Sequence, residues 1–390
     1  MKAAKLADVC DIIIGRTPSR SEPRFWAGDL PWLSIADMNQ GRNLLRTKER
    51  VTSDAMQECK LRIVEAGTVL MSFKLSIGKV GIARTRMATN EAIAALPVKD
   101  SSRLDSTYLS RVLESMDHTG AANRAAMGGT LNKASLAAIR IPIPPLEEQR
   151  RIAAVLDKAD ELRAKRRRAI AHLDALIQSI FHSMFGDPSK AEDGQRLEEL
   201  LASIDSGTSP VSEDRPATPD EWGILKVSAV TSQTYIDSEN KALISSKPKT
   251  ANEVCPGDVL FTRKNTPKLV AAVAIVRRTR PRLLIPDLVF RLNIRDRTQL
   301  DPEYLQSVMA YPTQRASVQR LAGGSAASMS NISKSKLATV KIPVPPLELQ
   351  QTFATRVAAV ERLKETHRKH LAELDALFAS LQNRAFKGEL

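Results

Sequence analysis

Two stretches of this chain carry apolar residues that step by three and four, with no Pro or Gly inside them. In the first, the steps fall on Ile152, Val155, Ala159, Leu162, Arg166, Ala169, Leu173, Leu176 and Ile180. In the second they fall on Phe353, Arg356, Val360, Leu363, His367, His370, Leu374, Leu377 and Leu381. That heptad spacing predicts helices over 146–185 and 347–386, each about 60 Å long at 1.5 Å rise per residue. Pro144-Pro145 and Pro345-Pro346 stand at the starts, and Glu147, Glu148 and Glu348 follow in the first turns, where negative charge is favoured. Arg166 and His367 interrupt the seams at mid-length, a device that fixes register at some cost in stability. A lone helix of this kind would expose its seam, so antiparallel pairing of the two is expected. Separate packing on each domain, or pairing between chains, is the alternative.

The remaining sequence alternates between short apolar runs and turn residues. Strands are expected at Val69–Phe73, Val80–Ala83, Ile93–Val98 and Trp32–Ile35, and a short helix at Ser106–Met116, where Tyr108, Leu109, Val112 and Leu113 share a face. The second half runs in the same order. Ile141–Gln149 (IPIPPLEEQ) returns as Ile342–Gln350 (IPVPPLELQ), and the offset of 201 holds without a gap to Phe185 and Phe386. Leu173-Asp174-Ala175-Leu176 matches Leu374-Asp375-Ala376-Leu377 on the way. In the globular parts the offset drifts between 190 and 196, so a scaffold repeats while its loops vary. The expected fold class is α+β: two similar mixed α/β domains joined by two long helices that form an antiparallel coiled coil with pseudo-two-fold symmetry. The boundaries expected are 1–145 and 186–346 for the domains, and 146–185 and 347–390 for the helices.

Charge narrows the partner. The formal net charge is +14, most of it in the two globular blocks, which points to nucleic acid first and an anionic membrane surface second. A generally basic surface is the plain alternative. Cys10, Cys59 and Cys255 are isolated, with no disulfide or metal spacing, and fit a reducing cytoplasm. No segment has the length of a signal peptide core or a membrane span. There is no phosphate-binding Gly-x-x-x-x-Gly-Lys-Ser/Thr loop, no Asn-Pro-Pro-aromatic tetrapeptide and no nucleotide-fold glycine loop. Among His118, His172, His182, His367 and His370, only the last two share a helical face, and no acidic or Cys ligand joins them at metal spacing; no metal site is expected.

Basic and hydrogen-bonding residues cluster in the strand-and-loop regions. Candidates for DNA contact in the first block are Arg16, Thr17, Ser72, Lys74, Ser76, Lys79, Arg84, Arg86, Asn90, Gly129 and Thr130. In the second block they are Lys226, Arg263, Lys264, Asn265, Lys268, Arg277, Arg278, Gly324 and Ser325. Arg and Lys grip phosphates, Arg reads guanine edges, and Gly-rich turns offer backbone N–H groups. Each basic residue also fits a solvated strand face. The run Arg163–Arg168 reads either as a track for DNA or as a solvated helix face.

The paired IPxPPLExQ segments with their long helices carry a resemblance. So do Gly15-Arg16-Thr17-Pro18, Pro31-Trp32-Leu33-Ser34, Gly67-Thr68-Val69-Leu70, Ile77-Gly78-Lys79, Ala88-Thr89-Asn90-Glu91 and Gly128-Gly129-Thr130. Together they resemble the specificity subunit of Type I restriction-modification enzymes, over essentially the whole chain. The second block departs from the pattern, with Gly207-Thr208-Ser209-Pro210 and Ile285-Pro286-Asp287 in the matching places. The resemblance implies a non-catalytic DNA-binding subunit whose two domains each read half of a bipartite target in double-stranded DNA. It implies that the helical rod sets the spacer and docks two methyltransferase (modification) subunits, which motor-nuclease (restriction) subunits join. It also implies no cofactor in this chain: S-adenosylmethionine, ATP and Mg belong to the partners. A coiled-coil adaptor that binds proteins rather than DNA is the competing reading.

Overall fold

The computed structural model describes residues 3–74, 76–116, 132–191, 193–244, 248–323 and 329–389. The chain divides into two compact units, Met1–Arg167 with Lys369–Leu390, and Arg168–Arg368. Each is mixed α/β, and each contains one stretch of both long helices.

In the first unit the strands β1 (Ile13–Ile14), β2 (Val69–Ser72), β3 (Val80–Ala83) and β4 (Ile93–Leu96) form one sheet in the order β1-β4-β2-β3, with Asn43–Leu44 added parallel at the β3 edge. Strands β2 and β4 are buried along their whole length, and β3 nearly so. Helix α1 (Ser106–Ser115) packs its Tyr108, Leu109, Val112 and Leu113 against that sheet. A second sheet holds Trp26–Leu33 between Glu49–Val51 and Met87–Thr89. The second unit repeats this wiring. Strands β5 (Leu201–Ser206), β6 (Val259–Thr262), β7 (Val273–Ile275) and β8 (Val289–Ile294) stand in the order β5-β8-β6-β7, with a helix at Pro302–Ala310 behind them.

The long helices are α2 (Leu146–Phe185) and, at the end of the chain, Leu347–Lys387. Within the first unit Ile152, Ala153 and Leu156 pack in one core with Phe378, Leu381, Ala385 and Phe386, so the helices run antiparallel. Within the second unit Phe181 and Phe185 meet Phe353, again antiparallel. The buried stripe is rotated from the heptad seam. Val155, Leu162 and Leu176 are 38–43% exposed, and Leu363 and Leu377 are 54% and 50% exposed. The next residues along (Leu156, Arg163, Ile177, Lys364 and Phe378) face inward instead. Ile152, Phe353 and Val360 are buried as expected, and Leu173, Ile180, Leu374 and Leu381 are half-buried. The reason is that each helix also covers its domain. Apolar positions therefore follow a globular stripe near 3.6 residues per turn, not a strict 3.5 seam.

The repeated Pro-Pro-Leu-Glu-x-Gln motif has a physical role in the joint between domain and helix. Gln149 is fully buried. Its amide donates to the carbonyls of Arg103 and Pro144, both at 2.8 Å, and its oxygen accepts from the Asp105 N–H at 2.9 Å. Gln350 repeats every bond, to Gln299, Pro345 and Asp301. Tyr108 donates to the Pro142 carbonyl and Tyr304 to the Pro343 carbonyl. Each domain is thus tied to the start of its helix by a carboxamide and a phenol.

Two outcomes follow from this packing. Leu156→Ala lowers unfolding free energy by about 2–5 kcal/mol in denaturant titration, whereas Leu162→Glu stays within about 0.5 kcal/mol; equal losses would restore the strict seam. Gln149→Ala leaves the Pro144 and Arg103 carbonyls and the Asp105 N–H without their carboxamide partner and costs about 1–3 kcal/mol, with Gln350→Ala similar; a loss under about 0.5 kcal/mol in both would remove the joint.

Candidate nucleic-acid interface

The basic candidates divide between the two ends of a strand pair. In the first unit the turn between β2 and β3 projects Lys74 and Ser76 into solvent. Ser72 shapes this turn and does not face solvent: it is fully buried, accepts from the Lys79 N–H at 3.0 Å and donates to the Ser76 carbonyl. It is therefore removed from the contact set, because its hydroxyl already closes the turn. Lys79 reaches across to Asn39 Oδ1 at 2.7 Å.

In the second unit Thr262 takes the place of Ser72, accepting from the Ala272 N–H at 2.8 Å and closing a longer loop. Lys264–Asn265 pairs there with Ser330–Asn331, Arg263 donates to Asn331 Oδ1 at 3.3 Å, and Asn265 donates to Thr231 at 3.2 Å. Arg315 braces the loop from beneath through the carbonyls of Lys268, Val270 and Ala271. Lys268 is left exposed, and Lys264 and Arg263 are half-buried.

Arg84, Arg86, Arg277 and Arg278 lie at the other end of the strands, away from these turns. Arg84 donates to Asn43 at 2.7 Å and Arg86 sits 3.4 Å from Glu65. Arg277 is bound to Glu303 and Arg278 to Glu365 at 3.0 Å, on the long helix. The expectation that they join one basic cluster with the turn residues is corrected: a strand's length separates them, and helix carboxylates hold the latter two. Lys226 lies 3.8 Å from Asp214, apart from the loop. Gly129, Thr130, Gly324 and Ser325 lie outside the described residues.

A second wall comes from the turn after β1. A side-chain carbon on Gly15 would collide with the carbonyl oxygens of Thr89 and Asn90, and one on Gly207 with those of Ile285 and Pro286. The close approach lets Thr17 bond Glu91 in one unit and Ser209 bond Asp287 in the other. The divergent second-block motifs therefore build the same junction with different side chains. Asn90 uses its oxygen locally, accepting from the Ala92 N–H at 3.0 Å, and Arg16 donates to the Cys59 carbonyl. Nearby, the guanidinium of Arg20 lies 4.0 Å from the Trp26 ring centroid while bonded to Glu49. Arg20 and Arg315 escaped sequence reasoning because only folding brings Trp26 and the loop carbonyls to them.

The long helices carry polar contacts at positions related by the repeat. Arg163 donates to Asp375 at 2.6 Å and to Asp160 at 2.7 Å, with Phe378 4.3 Å from its guanidinium. Lys364 lies 2.6 Å from Asp174 and also binds Glu361. These are the same positions 201 residues apart. Among the described residues no cluster of His, Cys, Asp or Glu could hold a metal ion, and no helix is long and apolar enough to cross a membrane.

Residues 1–172 match the family model described as the Type I restriction modification DNA specificity domain. The chain is similar to Type I restriction-modification specificity subunits, most directly over its first 172 residues. It is similar to the Type I restriction enzyme MjaIX specificity subunit of Methanocaldococcus jannaschii, 30% identical over 210 residues, which are 52% of this chain and 48% of that protein. It is also similar to the EcoEI specificity subunit of Escherichia coli, 32% identical over 157 residues, which are 40% of this chain and 26% of that protein. The match to these specificity subunits thus spans about half their length or less. The solved Type I restriction-modification S subunit from M. genitalium shares the fold, with a TM-score of 0.58 over 99% of this chain and 96% of that one at 15% identity. A second solved chain, from a structural study of the type I R-M system, aligns with a TM-score of 0.54 over 100% of this chain and 98% of that one at 19% identity.

Proposed function

We propose that this protein is the non-catalytic, sequence-reading subunit of a Type I restriction-modification complex. Each mixed α/β unit reads one half of a bipartite site in double-stranded DNA, and the paired helices set the spacer between halves. The observation that carries this reading is a scaffold built twice with different loop chemistry at matching places. A short turn bearing Lys74 and Ser76 in one unit corresponds to a longer, braced loop bearing Lys264 and Lys268 in the other. Identical wiring with unlike tips suits two unlike half-sites. The net charge of +14 supplies the sequence-independent attraction to phosphates.

The outward leucines support docking of methyltransferase subunits on the helices. Single exposed apolar residues are ordinary. Here, however, Leu162 and Leu363 recur at one repeat position and Leu176 and Leu377 at another, all exposed. Duplicated patches suit two copies of one partner, with motor-nuclease subunits added to them. Methyl transfer, with its S-adenosylmethionine, and ATP-driven cleavage with Mg belong to those partners in this reading, carried out in the cytoplasm.

Binding of the methyltransferase-loaded protein to its DNA site should fall steeply with salt, and Lys74→Ala or Lys268→Ala should each reduce the log–log slope by about 1. Salt-independent association with DNA would favour the protein-binding adaptor. In size-exclusion chromatography with light scattering, Leu162→Glu/Leu377→Glu should lose one of the two methyltransferase copies while keeping its own melting temperature; assembly unchanged by the double variant would move the docking surface elsewhere.

A further inference from the structure

At the surface of the first unit Arg20 donates through Nη1 and Nη2 to the two oxygens of Glu49, the second bond at 2.9 Å. Its guanidinium lies 4.0 Å from the Trp26 ring centroid, and Trp26 meets Trp32 edge-on at 5.2 Å. The Trp26 indole N–H donates to the Ser19 carbonyl at 3.1 Å, which fixes the residue before Arg20. Presenting Trp26 in this way strains the backbone. The strand Trp26–Leu33 is bulged between Trp26 and Leu30, and Ala27, at φ 64°, lies in the left-handed region that favours glycine. The Arg20 side chain nevertheless stays 55% exposed and that of Glu49 38%.

The scaffold does not require this pair. Trp32 pairs with Ala88 and Ile224 with Leu284, each one residue before the Thr89 and Ile285 carbonyls that pack on Gly15 and Gly207, so the two hold the same place. Opposite Trp32 stands Glu49; opposite Ile224 stands Lys241, which lies 3.1 Å from Asp214. The charges are reversed. A strand carboxylate holds a loop cation in one unit, and a strand cation holds a loop carboxylate in the other. A contact serving the fold has no reason to invert while the strands around it keep their register. Chemistry that faces a different ligand in each unit does.

The pair adjoins the candidate interface. Lys48, next to Glu49, donates its N–H to Asp37 at 3.2 Å, and Asn39 in the same short turn holds Lys79 of the β2–β3 turn. A net-neutral pair is a poor grip for phosphate, because the Glu49 carboxylate repels it. It suits an uncharged base edge instead. Glu49 takes two of the five guanidinium N–H groups, and among the described residues none accepts from Nε. The Nε–Nη2 edge therefore offers two parallel donors, with a Glu49 oxygen next in line as an acceptor. In the major groove a G·C pair presents acceptor, acceptor and donor: guanine N7, guanine O6 and cytosine N4. An A·T pair presents acceptor, donor and acceptor, which sets N–H against N–H and carboxylate against carbonyl.

We propose that Arg20 and Glu49 together read one G·C base pair in the half-site bound by the first unit, with Trp26 as the platform that fixes the plane of the guanidinium. This rests on the DNA-reading function proposed above.

The test uses the full chain loaded with methyltransferase and a randomised double-stranded DNA pool, with the bound sequences counted. The wild type should select a bipartite site that contains the G·C pair. Arg20→Lys, which keeps the charge but loses the fork, should lower the guanine preference at that one position about tenfold or more and leave the other half-site unchanged. Replacing that guanine by 7-deazaguanine should weaken binding of the wild type and not of the variant. Glu49→Gln should relax the same position, and carries the test if Arg20→Lys does not fold. A wild type without bipartite preference overturns the DNA-reading function, and this inference with it. A clear wild-type site whose base preferences neither folded variant alters overturns the pair alone. So does a uniform loss across sequences with a shallower salt slope, which assigns a phosphate contact.

Discussion

The helix register rests on ion pairs set inside an apolar interface. Lys364 is 2% exposed, and its ammonium has Asp174 on the opposing helix and Glu361 on its own. Arg163 makes the corresponding pair with Asp375 and Asp160 in the first unit. A buried cation without its carboxylates is severely penalised, so sliding either helix by a turn would strand charge as well as misplace apolar side chains. Such pairs add little net stability compared with well-packed hydrophobic residues; their use is to exclude other registers.

From the register, rigidity passes to the domains through the buried glutamines. Gln149 and Gln350 each join three backbone groups belonging to the helix start and the globular part. The tight packing of Gly15 and Gly207 then carries the frame to the loops. Loops can vary because nothing in this chain of contacts uses their tips. The β2–β3 turn and the longer loop after β6 differ in length, charge and bracing, yet both spring from a buried hydroxyl, Ser72 or Thr262, that closes the strand pair.

The two units reach similar shapes by unlike electrostatics. One fastens its short helix to the long one with the buried guanidinium of Arg111. The other uses Arg277, which comes from the strand side, and leaves a cavity where the first has a side chain. Replacing an interior Arg by Ser is tolerated because the carboxylates it would have served find another cation or remain near water. Duplicated scaffolds can therefore drift at interior positions and open new space without losing the fold.

Much was legible in the chain itself. The spacing of apolar residues marked the helices, the IPxPPLExQ repeat marked their starts, and the runs at Val69, Val80 and Ile93 marked strands; these signals are local, set by backbone period and turn chemistry. The equality of Asp174 and Asp375 was also visible, although not their partners. Tertiary structure alone decided which face of each helix turned inward. Leu162 and Leu363 look like seam residues by period, yet Arg163 and Lys364 take the inside, because each helix packs on a domain as well as on its partner and the sum of both contacts rotates the stripe. It also decided that Ser72 is a turn-closing group, that Arg277 serves a helix, and that Ser307 borders a cavity. Each of those depends on neighbours far away in sequence, and no local period encodes a distance between segments that meet only when the chain has folded.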